Sequence, residues 1–411
     1  MPWKKERLRG DVLDTRPLAD FEFPKAGAEP TLRVVTVRDF DALAGHAAAW
    51  NRLAVNAPQR LPMLSHAWAA SFFEYRLRPG ESWCCAFAYD GDVLVGVLPL
   101  VVTPHRLLGQ HRPVLRTPRD VHTRVGDALL VPRHARETLI ALLEALRREM
   151  PGHLGLELRG VRSNSPTLAA VAAGIPTHLT RCHPAFRGSF LDVGGPIEPY
   201  WETLSKSMRR NLRQRRKKLQ QRSGRFEIRT LSGVDADPGL LSRFMELEAS
   251  GWKGRGGTAI GQSPDLAAFY EALVHRLAEA GWLEWHLLEA DGRTVAMELA
   301  IRFGQALVTP KAAYDEDYAE CAPGHLLCEA VFRDAFSQDG LAECNDVSDQ
   351  DWHRQWRMGS DTYYELHLVP RRAAPIALRF LPVEGGRQLR RRLGPLLPER
   401  IRPVLRRIAG R

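Results

Sequence analysis

The sequence is short of cysteine, with six residues scattered over a chain of 411. None belongs to a Cys-x-x-Cys pair, and none has a histidine at the spacing of a zinc site. This usage is typical of reduced and mostly buried thiols in a cytosolic protein. We therefore expect neither a disulfide framework nor a bound metal.

Long hydrophobic runs are also missing. The longest, Val93–Val102, is interrupted by glycine and proline and falls short of the roughly 18 apolar residues that a membrane-spanning helix needs. The first residues, MPWKKERLRGDVLD, are charged and lack an apolar core, so we expect no secretory signal. A hydrophobic fraction of 44% and a charged fraction of 26% are ordinary for a soluble protein, and the length favours two domains.

The net charge of +10 comes from one end of the chain. Residues 371–411 hold 12 arginines and two glutamates, so the preceding 370 residues are formally neutral. This basic tail mixes aliphatic residues with arginine at roughly helical spacing, and residues 387–411 are predicted to contact an anionic membrane surface. Its prolines limit a long helix, and a tail without a role remains the alternative.

Hydrophobic periodicity predicts one order of elements that occurs twice. In the first stretch a strand (Leu32–Val37) precedes two helical patterns, a hairpin around Asp90–Gly91, a helix over Ala135–Met150, a strand, and a short helix near Leu168. The order β-α-α-β-β-β-α-β-α-β predicts an α+β protein.

The second stretch repeats this order with strand Phe226–Leu231 and a hairpin around Asp291–Gly292. The predicted organisation is a loosely ordered lead-in over residues 1–30, an N-terminal domain over 31–198, a C-terminal catalytic domain over 199–370 and the basic tail over 371–411.

Three segments of the second stretch carry a family resemblance: SKSMRRNLRQRRKKL, MELEASGWKGRGGTAI, and KAAYDEDYAECAPGHLLCEAVFRDAF with the later NDVSDQDWHRQWRMG. Over Pro199–Tyr364 the sequence resembles the GCN5-related N-acetyltransferase (GNAT) superfamily, and within it the acetyltransferase-like proteins of bacterial cellulose and exopolysaccharide biosynthesis. The first half is similar only in layout. The resemblance implies two GNAT-like acyl-CoA N-acyltransferase folds in tandem, with mixed central sheets flanked by helices.

The resemblance implies acetyl-CoA as the co-substrate. The stretch YAECAPGH keeps only one glycine of the family's pyrophosphate loop, but it leads into a helix whose N-terminus offers N–H groups and a positive dipole end. We expect Pro323 to fix the turn. The expected pyrophosphate donors are the N–H groups of Gly324, His325, Leu326 and Leu327. An ordinary strand–helix turn is the alternative.

Acyl transfer requires a stabilised oxyanion, a deprotonated acceptor and a protonated leaving thiolate. The resemblance implies that amides of Leu307–Tyr314 serve the first need, and Tyr314 is a candidate proton donor to the thiolate or else a core residue. Lys311, in an otherwise apolar strand, should face a carboxylate or an anionic ligand. Glu298 and Asp346 on the neighbouring strands are its expected partners. Lys311 would then orient the acyl donor or acceptor while one of these carboxylates serves as the base, with a structural ion pair as the alternative.

Acceptor-binding residues are expected at two places. Glu248, Trp252 and Lys253 lie where a helix gives way to the glycine-rich GWKGRGG, which resembles a lid over the acceptor. The run Ser205–Arg222 has nine basic residues and no acid, and its Arg209 is a candidate contact for an anionic acceptor; a solvated helix face is the alternative.

The resemblance therefore predicts an acyl-CoA-dependent N- or O-acyltransferase, with acetyl as the expected group, acting on a sugar, polysaccharide or cell-envelope precursor. We expect it in the cytoplasm, held near the inner membrane face by the tail. One alternative is a Fem-type transferase that uses aminoacyl-tRNA, with Ser205–Arg222 on the RNA phosphates. Another is a non-catalytic GNAT-fold module of a polysaccharide-synthesis complex.

Overall fold

The computed structural model of the protein describes residues 32–107, 110–372 and 375–376. The predicted lead-in over residues 1–30 and the predicted membrane contact of residues 387–411 lie outside the described residues. No helix in the described part of the chain is long and apolar enough to cross a bilayer.

Strands of the described residues form one mixed sheet in the order β1-β2-β3-β4-β6-β13-β7-β12-β11-β10-β9-β8, with β5 paired to β3. Their bounds are β1 (Leu32–Val37), β2 (Ser82–Asp90), β3 (Val93–Leu107), β4 (Gln110–Arg116), β5 (Leu129–Leu130), β6 (Leu156–Arg162), β7 (His178–Asp192), β8 (Phe226–Ser232), β9 (Leu283–Ala290), β10 (Arg293–Phe303), β11 (Ala306–Tyr314), β12 (Glu343–Asn345) and β13 (Gly359–Pro370). The predicted mixed fold of sheet and helices is thus confirmed, and both halves of the chain share the sheet.

The helices are α1 (Phe40–Gly45), α2 (Ala47–Val55), α3 (His66–Tyr75), α4 (Ala135–Glu149), α5 (Pro166–Ala172), α6 (Ile197–Thr203), α7 (Lys206–Arg222), α8 (Leu240–Ser250), α9 (Trp252–Arg255), α10 (Pro264–Glu279), α11 (Pro323–Ser337) and α12 (Asp351–Gln355). Both predicted hairpins are confirmed, because β2 joins β3 and β9 joins β10 through tight turns. At the second turn Asp291 and Gly292 both have positive φ, as a type I′ turn requires.

The centre of the sheet is a long antiparallel pair of β7 and β13. The register runs from Gly359 opposite Phe190 to Pro370 opposite His178. The other edge of β13 pairs with β6, and the other edge of β7 pairs with β12. The last strand of the described residues therefore lies between two strands of the first half, and the sheet continues without a break across the two halves. The sequence patterns do not locate β7, because proline and charged residues interrupt its hydrophobic alternation.

Helices cover both faces of the sheet. On one face a continuous core joins the halves, where the rings of Trp68 in α3 and Phe269 in α10 lie 6.0 Å apart. On the other face α7 and α11 pack through residues such as Leu212 and Leu326. Residues of β10 alternate between these two cores, so neighbouring residues of that strand face opposite sides of the molecule.

A glycine at the β6 bulge seats a loop of the first half against the sheet. Gly160 has φ +85°, and a Cβ there would lie 2.3 Å from the carbonyl oxygen of Arg124. The N–H of Gly126 donates to the carbonyl of Arg159 at 2.8 Å. Any side chain at position 160 would push the loop formed by residues 117–126 off the sheet.

A buried arginine connects three strands and a loop. Arg162 at the end of β6 donates from Nη1 and Nη2 to the Glu343 carboxylate of β12, at 2.6 and 3.0 Å. Its Nε donates to Asp361 of β13 at 2.8 Å, and Nη1 also donates to the carbonyl of Gln59. Only 3% of the Arg162 side chain is exposed, so these bonds replace water.

We predict that Arg162→Met destabilises the protein by about 3–5 kcal/mol, because the buried Glu343 would lose its bidentate partner and keep only the partly exposed Arg60, 3.8 Å away. The double variant Arg162→Met/Glu343→Gln should recover part of this loss. Urea unfolding of both variants measures the difference. A double variant less stable than the single one would contradict the explanation.

Candidate active site

Strands β11 and β12 separate beside the sheet centre. They are parallel and pair at three positions only, from Ala306 opposite Glu343 to Val308 opposite Asn345. Because β11 continues to Tyr314, residues 309–314 extend beyond the described pairing with β12. Next to this opening, β10 has a register irregularity between Leu299 and Ile301. A backbone edge that is not used by a neighbouring strand is available to a ligand.

Lys311 projects from β11 into a mostly buried cluster. Its Nζ lies 4.0 Å from Oε1 of Glu248 and 5.4 Å from the ring centre of Tyr270. The Glu248 carboxylate is fully buried and accepts from Nζ of Lys253 at 2.8 Å and from the N–H of Ile260 at 2.8 Å. One carboxylate on α8 therefore holds the short helix α9 beside Lys311.

The surroundings keep part of Lys311 neutral. Burial lowers its pKa to about 8; the Glu248 charge opposes this shift, and the Lys253 charge adds to it. At pH 7 the Lys311 side chain is then a free amine in roughly a tenth of the molecules. An amine of this kind can accept a proton near neutral pH.

The loop of residues 117–126 brings a histidine from the first half to this cluster. Nδ1 of His122 lies 3.4 Å from the hydroxyl oxygen of Tyr270. Burial, followed by the charge of Lys311, lowers the pKa of His122 to about 4, so the ring is neutral at pH 7. Asp120, two residues earlier, accepts from Nε of Arg76 at 2.8 Å. No sequence pattern connects His122 with Lys311, because their proximity depends on how the halves pack.

The predicted pairing of Lys311 with Glu298 is wrong. Lys311 is opposite Leu299 in the β10–β11 register, whereas Glu298 is opposite Ala312 and so faces the other side of the sheet. There Oε2 of Glu298 lies 3.3 Å from Nδ1 of His286.

The predicted pairing of Lys311 with Asp346 is also wrong. Asp346 follows β12 at the opening, and its Oδ2 lies 2.5 Å from Nε2 of the buried His353. Nδ1 of His353 accepts from the N–H of Gln350, which leaves Nε2–H to donate to Asp346. The next residue, Val347, has φ +50°, a strained conformation for a β-branched residue.

The turn before α11 presents an uncapped helix N-terminus. Ala322 has φ +47°, Pro323 occupies the first helical turn, and no side chain caps the helix in the described structure. The N–H groups of His325 and Leu326 donate to the carbonyl of Ala322 at 3.0 and 3.2 Å. The expectation that these two amides are open donors is therefore corrected, since the turn itself uses them.

The other two predicted donors differ from each other. The N–H of Leu327 is within the regular helical ladder, where Pro323 is its partner by position, and its side chain is buried. Of the four predicted donors, only Gly324 keeps an N–H that points out of the first turn of the described helix. A Cβ at Gly324 would meet no atom within 4 Å, so the space in front of it is open.

Basic residues of α7 brace this turn. Arg215 donates to the carbonyl of Glu320, and Arg222 donates to the carbonyl of Asp317 at 2.7 Å. The pKa of His325 is lowered by burial and then by the charge of Arg215. Positive charge thus surrounds the N-terminus of α11, which favours an anionic group there.

Arg209 lies elsewhere, in a basic cavity of about 660 Å³ between α6, α7 and α11. The cavity lining consists of Trp201, Lys206, Arg209, Arg210, Leu212, Arg213, Arg216, Glu329 and Arg333. Its walls come from the face of α7 and α11, opposite the core that contains Tyr270. Arg209 is therefore not brought together with Lys311.

The remaining predicted residues, Trp252 and Tyr314, are at the surface. Trp252 is 57% exposed on the short helix α9, and Tyr314 at the end of β11 is 38% exposed. The alternative that Tyr314 is a core residue is therefore wrong. Glu316, two residues after the end of β11, connects this segment to α9. It accepts from the N–H of Trp252 at 2.6 Å and pairs with Arg255.

Comparison with known proteins concerns the same part of the chain. Residues 206–347, from α7 to just past β12, match the family model of an acetyltransferase (GNAT) domain. This stretch of the chain is thus similar to a GNAT-type acetyltransferase domain, and it includes the opening, Lys311 and the turn before α11.

Two solved structures are similar to most of the chain. One is a crystal structure of FemX, 12% identical with a TM-score of 0.56, covering 81% of this chain and 96% of that one. The other is a conserved protein of unknown function from Bacteroides thetaiotaomicron VPI-5482, 14% identical with a TM-score of 0.50, covering 82% and 100%. At such identities the likeness concerns the fold. No curated protein matches the sequence.

The histidine opposite Glu298 predicts a pH dependence of stability. Burial disfavours the charged form of His286, but hydrogen bonds to Glu284 and Glu298 outweigh this and raise its pKa to about 9. The charged ring thus stabilises the folded state fully below pH ~6.5, and this contribution disappears as the pH rises through about 9.

We expect the stability advantage of the wild type over His286→Gln to fall by about 3 kcal/mol between pH 6 and pH 9.5. Urea unfolding across this range measures it, with His275→Gln on the exposed side of α10 as the control. A difference that stays constant with pH would contradict the charged state of His286.

Proposed function

We propose that the protein transfers an acyl group from acyl-CoA, with acetyl as the expected group, to an amine or hydroxyl of a sugar or cell-envelope precursor. The observation that carries this proposal is the opening between β11 and β12, with Lys311 beside it and an uncapped helix N-terminus next to it. The acceptor class rests on the sequence resemblance to polysaccharide-biosynthesis proteins.

The pyrophosphate and the acyl arm of the proposed donor would each contact a different part of the opening. A pyrophosphate at the start of α11 would meet the N–H of Gly324 and the positive surroundings supplied by Arg215. The acyl arm would then extend along the edge of residues 309–314, where backbone N–H groups can donate to the thioester oxygen as negative charge develops on it.

Lys311 is the proposed general base. The acceptor's nitrogen or oxygen attacks the thioester carbon, Lys311 in its neutral form takes the proton, and the carbon–sulfur bond breaks to release CoA thiolate. Tyr314 lies at the end of the same strand and is the proposed proton donor to the thiolate. Asp346, held by His353, is on the β12 side of the opening and is the second candidate base.

Acceptor binding is proposed to involve the lid. Lys253 of α9 donates to Glu248 and to the carbonyl of Ala312, and these bonds would hold the proposed lid closed over Lys311. Gly251 and Gly256 border α9 and can absorb the backbone change of an opening lid. Trp252 and the loop of residues 117–126 would then contact the acceptor from two sides.

A second candidate is suggested by the basic cavity around Arg209. Its cations would suit a polyanionic donor such as aminoacyl-tRNA, which the resemblance to Fem-type transferases implies. In that case binding would weaken steeply with salt, and acyl-CoA would not compete.

Isothermal titration with acetyl-CoA separates these candidates. We expect saturable binding by the wild type and its loss in Gly324→Trp, because the indole would start in the open space in front of the turn and block a ligand there. Gly152→Trp is the matched control, since a Cβ there also meets no atom within 4 Å. No binding of acetyl-CoA or longer acyl-CoAs by the wild type would reject the proposed donor and favour tRNA or a non-catalytic module.

Lys311 as base predicts a characteristic pH profile. With glucosamine as a test acceptor, the rate of CoA release should rise as the pH increases through about 8, because only the neutral amine accepts a proton. Lys311→Met should lower kcat by about 10²–10⁴-fold and abolish this rise. A profile unchanged in Lys311→Met, with Asp346→Asn instead inactive, would transfer the role to Asp346.

A further inference from the structure

The central strands bring two histidines and a glutamate together on one face of the sheet. His183 on β7 is directly opposite Glu365 on β13, and His367 follows two residues later on the same face. Nε2 of His183 lies 3.2 Å from Oε2 of Glu365, and Nε2 of His367 lies 3.3 Å from Oε1. The two rings are nearly parallel, with centres 5.8 Å apart.

We propose that His183, Glu365 and His367 form a binding site for a divalent transition metal, with zinc as the expected ion. One donor atom from each residue lies within 4.8 Å of the others. Around a zinc ion, donors at about 2.0–2.1 Å in a tetrahedral arrangement are roughly 3.3 Å apart. The observed nitrogen–oxygen distances, each to a different oxygen of the Glu365 carboxylate, are close to this value, and a small shift of the rings would bring both nitrogens to one ion. Two imidazoles with one carboxylate are a donor set that zinc accepts.

The residues around the three ligands also suit a metal. Oε1 of Glu157 on β6 lies 3.9 Å from Nδ1 of His367, on the side of the ring away from Glu365. This distance is longer than a hydrogen bond. A carboxylate that closed on Nδ1 from this side would orient the imidazole and leave Nε2 for the ion. Arg159 pairs with both Glu157 and Glu365 and so fixes the carboxylates, while its charge opposes that of the ion.

The neighbouring arginines oppose the charge of the ion, so binding depends on the three ligand atoms themselves. Arg119 is a second nearby cation. Burial lowers the pKa of Arg119, the charge of Arg159 lowers it further, and the charge of Glu365 raises it. The Glu365 carboxylate is only 19% exposed, and the His367 ring 11%, so the ligands are largely withdrawn from water. Metal binding would displace the Nε2 protons and is therefore expected to weaken at low pH.

The site would fasten the strands that unite the halves of the chain. His183 belongs to the last strand of the first half, whereas Glu365 and His367 belong to the last strand of the second. The expectation of no metal rested on spacing along the sequence. This ligand set arises only when β7 and β13 pair. The site is separate from the opening between β11 and β12 and does not depend on the proposed function.

Zinc titration of the full chain, freed of metal with a chelator, tests the proposal. We expect one zinc ion per chain at this site, an increase in Tm on binding, and at least a tenfold loss of affinity in His183→Gln and in His367→Gln. His275→Gln, with its side chain exposed on α10, should bind zinc like the wild type. Unchanged affinity in both ligand variants, or no saturable binding by the wild type, would overturn the site.

A cobalt spectrum keeps the test decisive if either variant fails to fold. Co²⁺ bound to the wild type should show the d–d bands of a nitrogen and oxygen site. A sulfur-to-cobalt charge-transfer band would place the ion on a thiolate, such as that of the exposed Cys182, and would overturn the assignment.

Discussion

The bonds of Arg162 hold the architecture together. A guanidinium with almost no exposed surface is stable only when several acceptors replace its water, and here the acceptors come from β12, β13 and the loop at Gln59. Because Glu343 begins β12, this one side chain fixes the short strand that borders the opening. The position of the candidate active site thus depends on a charge in the first half of the chain.

The same junction explains why the site includes residues of both halves. β13 pairs with β6, and the bulge at Gly160 in β6 seats the loop that presents His122 to Tyr270. Lys311 is provided by the half that matches the GNAT model, whereas the neutral ring of His122 is provided by the other half. The second half alone would have the proposed base and donor turn but an incomplete acceptor side.

The two faces of the sheet differ in their electrostatic surroundings. On the face of Lys311, burial and neighbouring cations favour a partly neutral amine, which suits proton transfer. On the face of α7 and α11, basic residues gather around the helix N-terminus and the cavity of Arg209, which suits anionic groups. Glu298 belongs to neither arrangement, because it is used with His286 in a buried charged pair.

The sequence by itself determined the elements that local patterns encode: the two hairpins, the amphipathic helices, the Pro-Gly turn before α11 and the unusual Lys311. It also indicated the GNAT-type half, because that resemblance is carried by contiguous segments. Only the tertiary structure decided which groups meet. Strand register turned Glu298 away from Lys311, and helix packing supplied Glu248 in its place. The pairing of β7 with β13 brought together His183, Glu365 and His367. These contacts join residues far apart in sequence, and their distances are set by packing of the whole sheet, which no local pattern records.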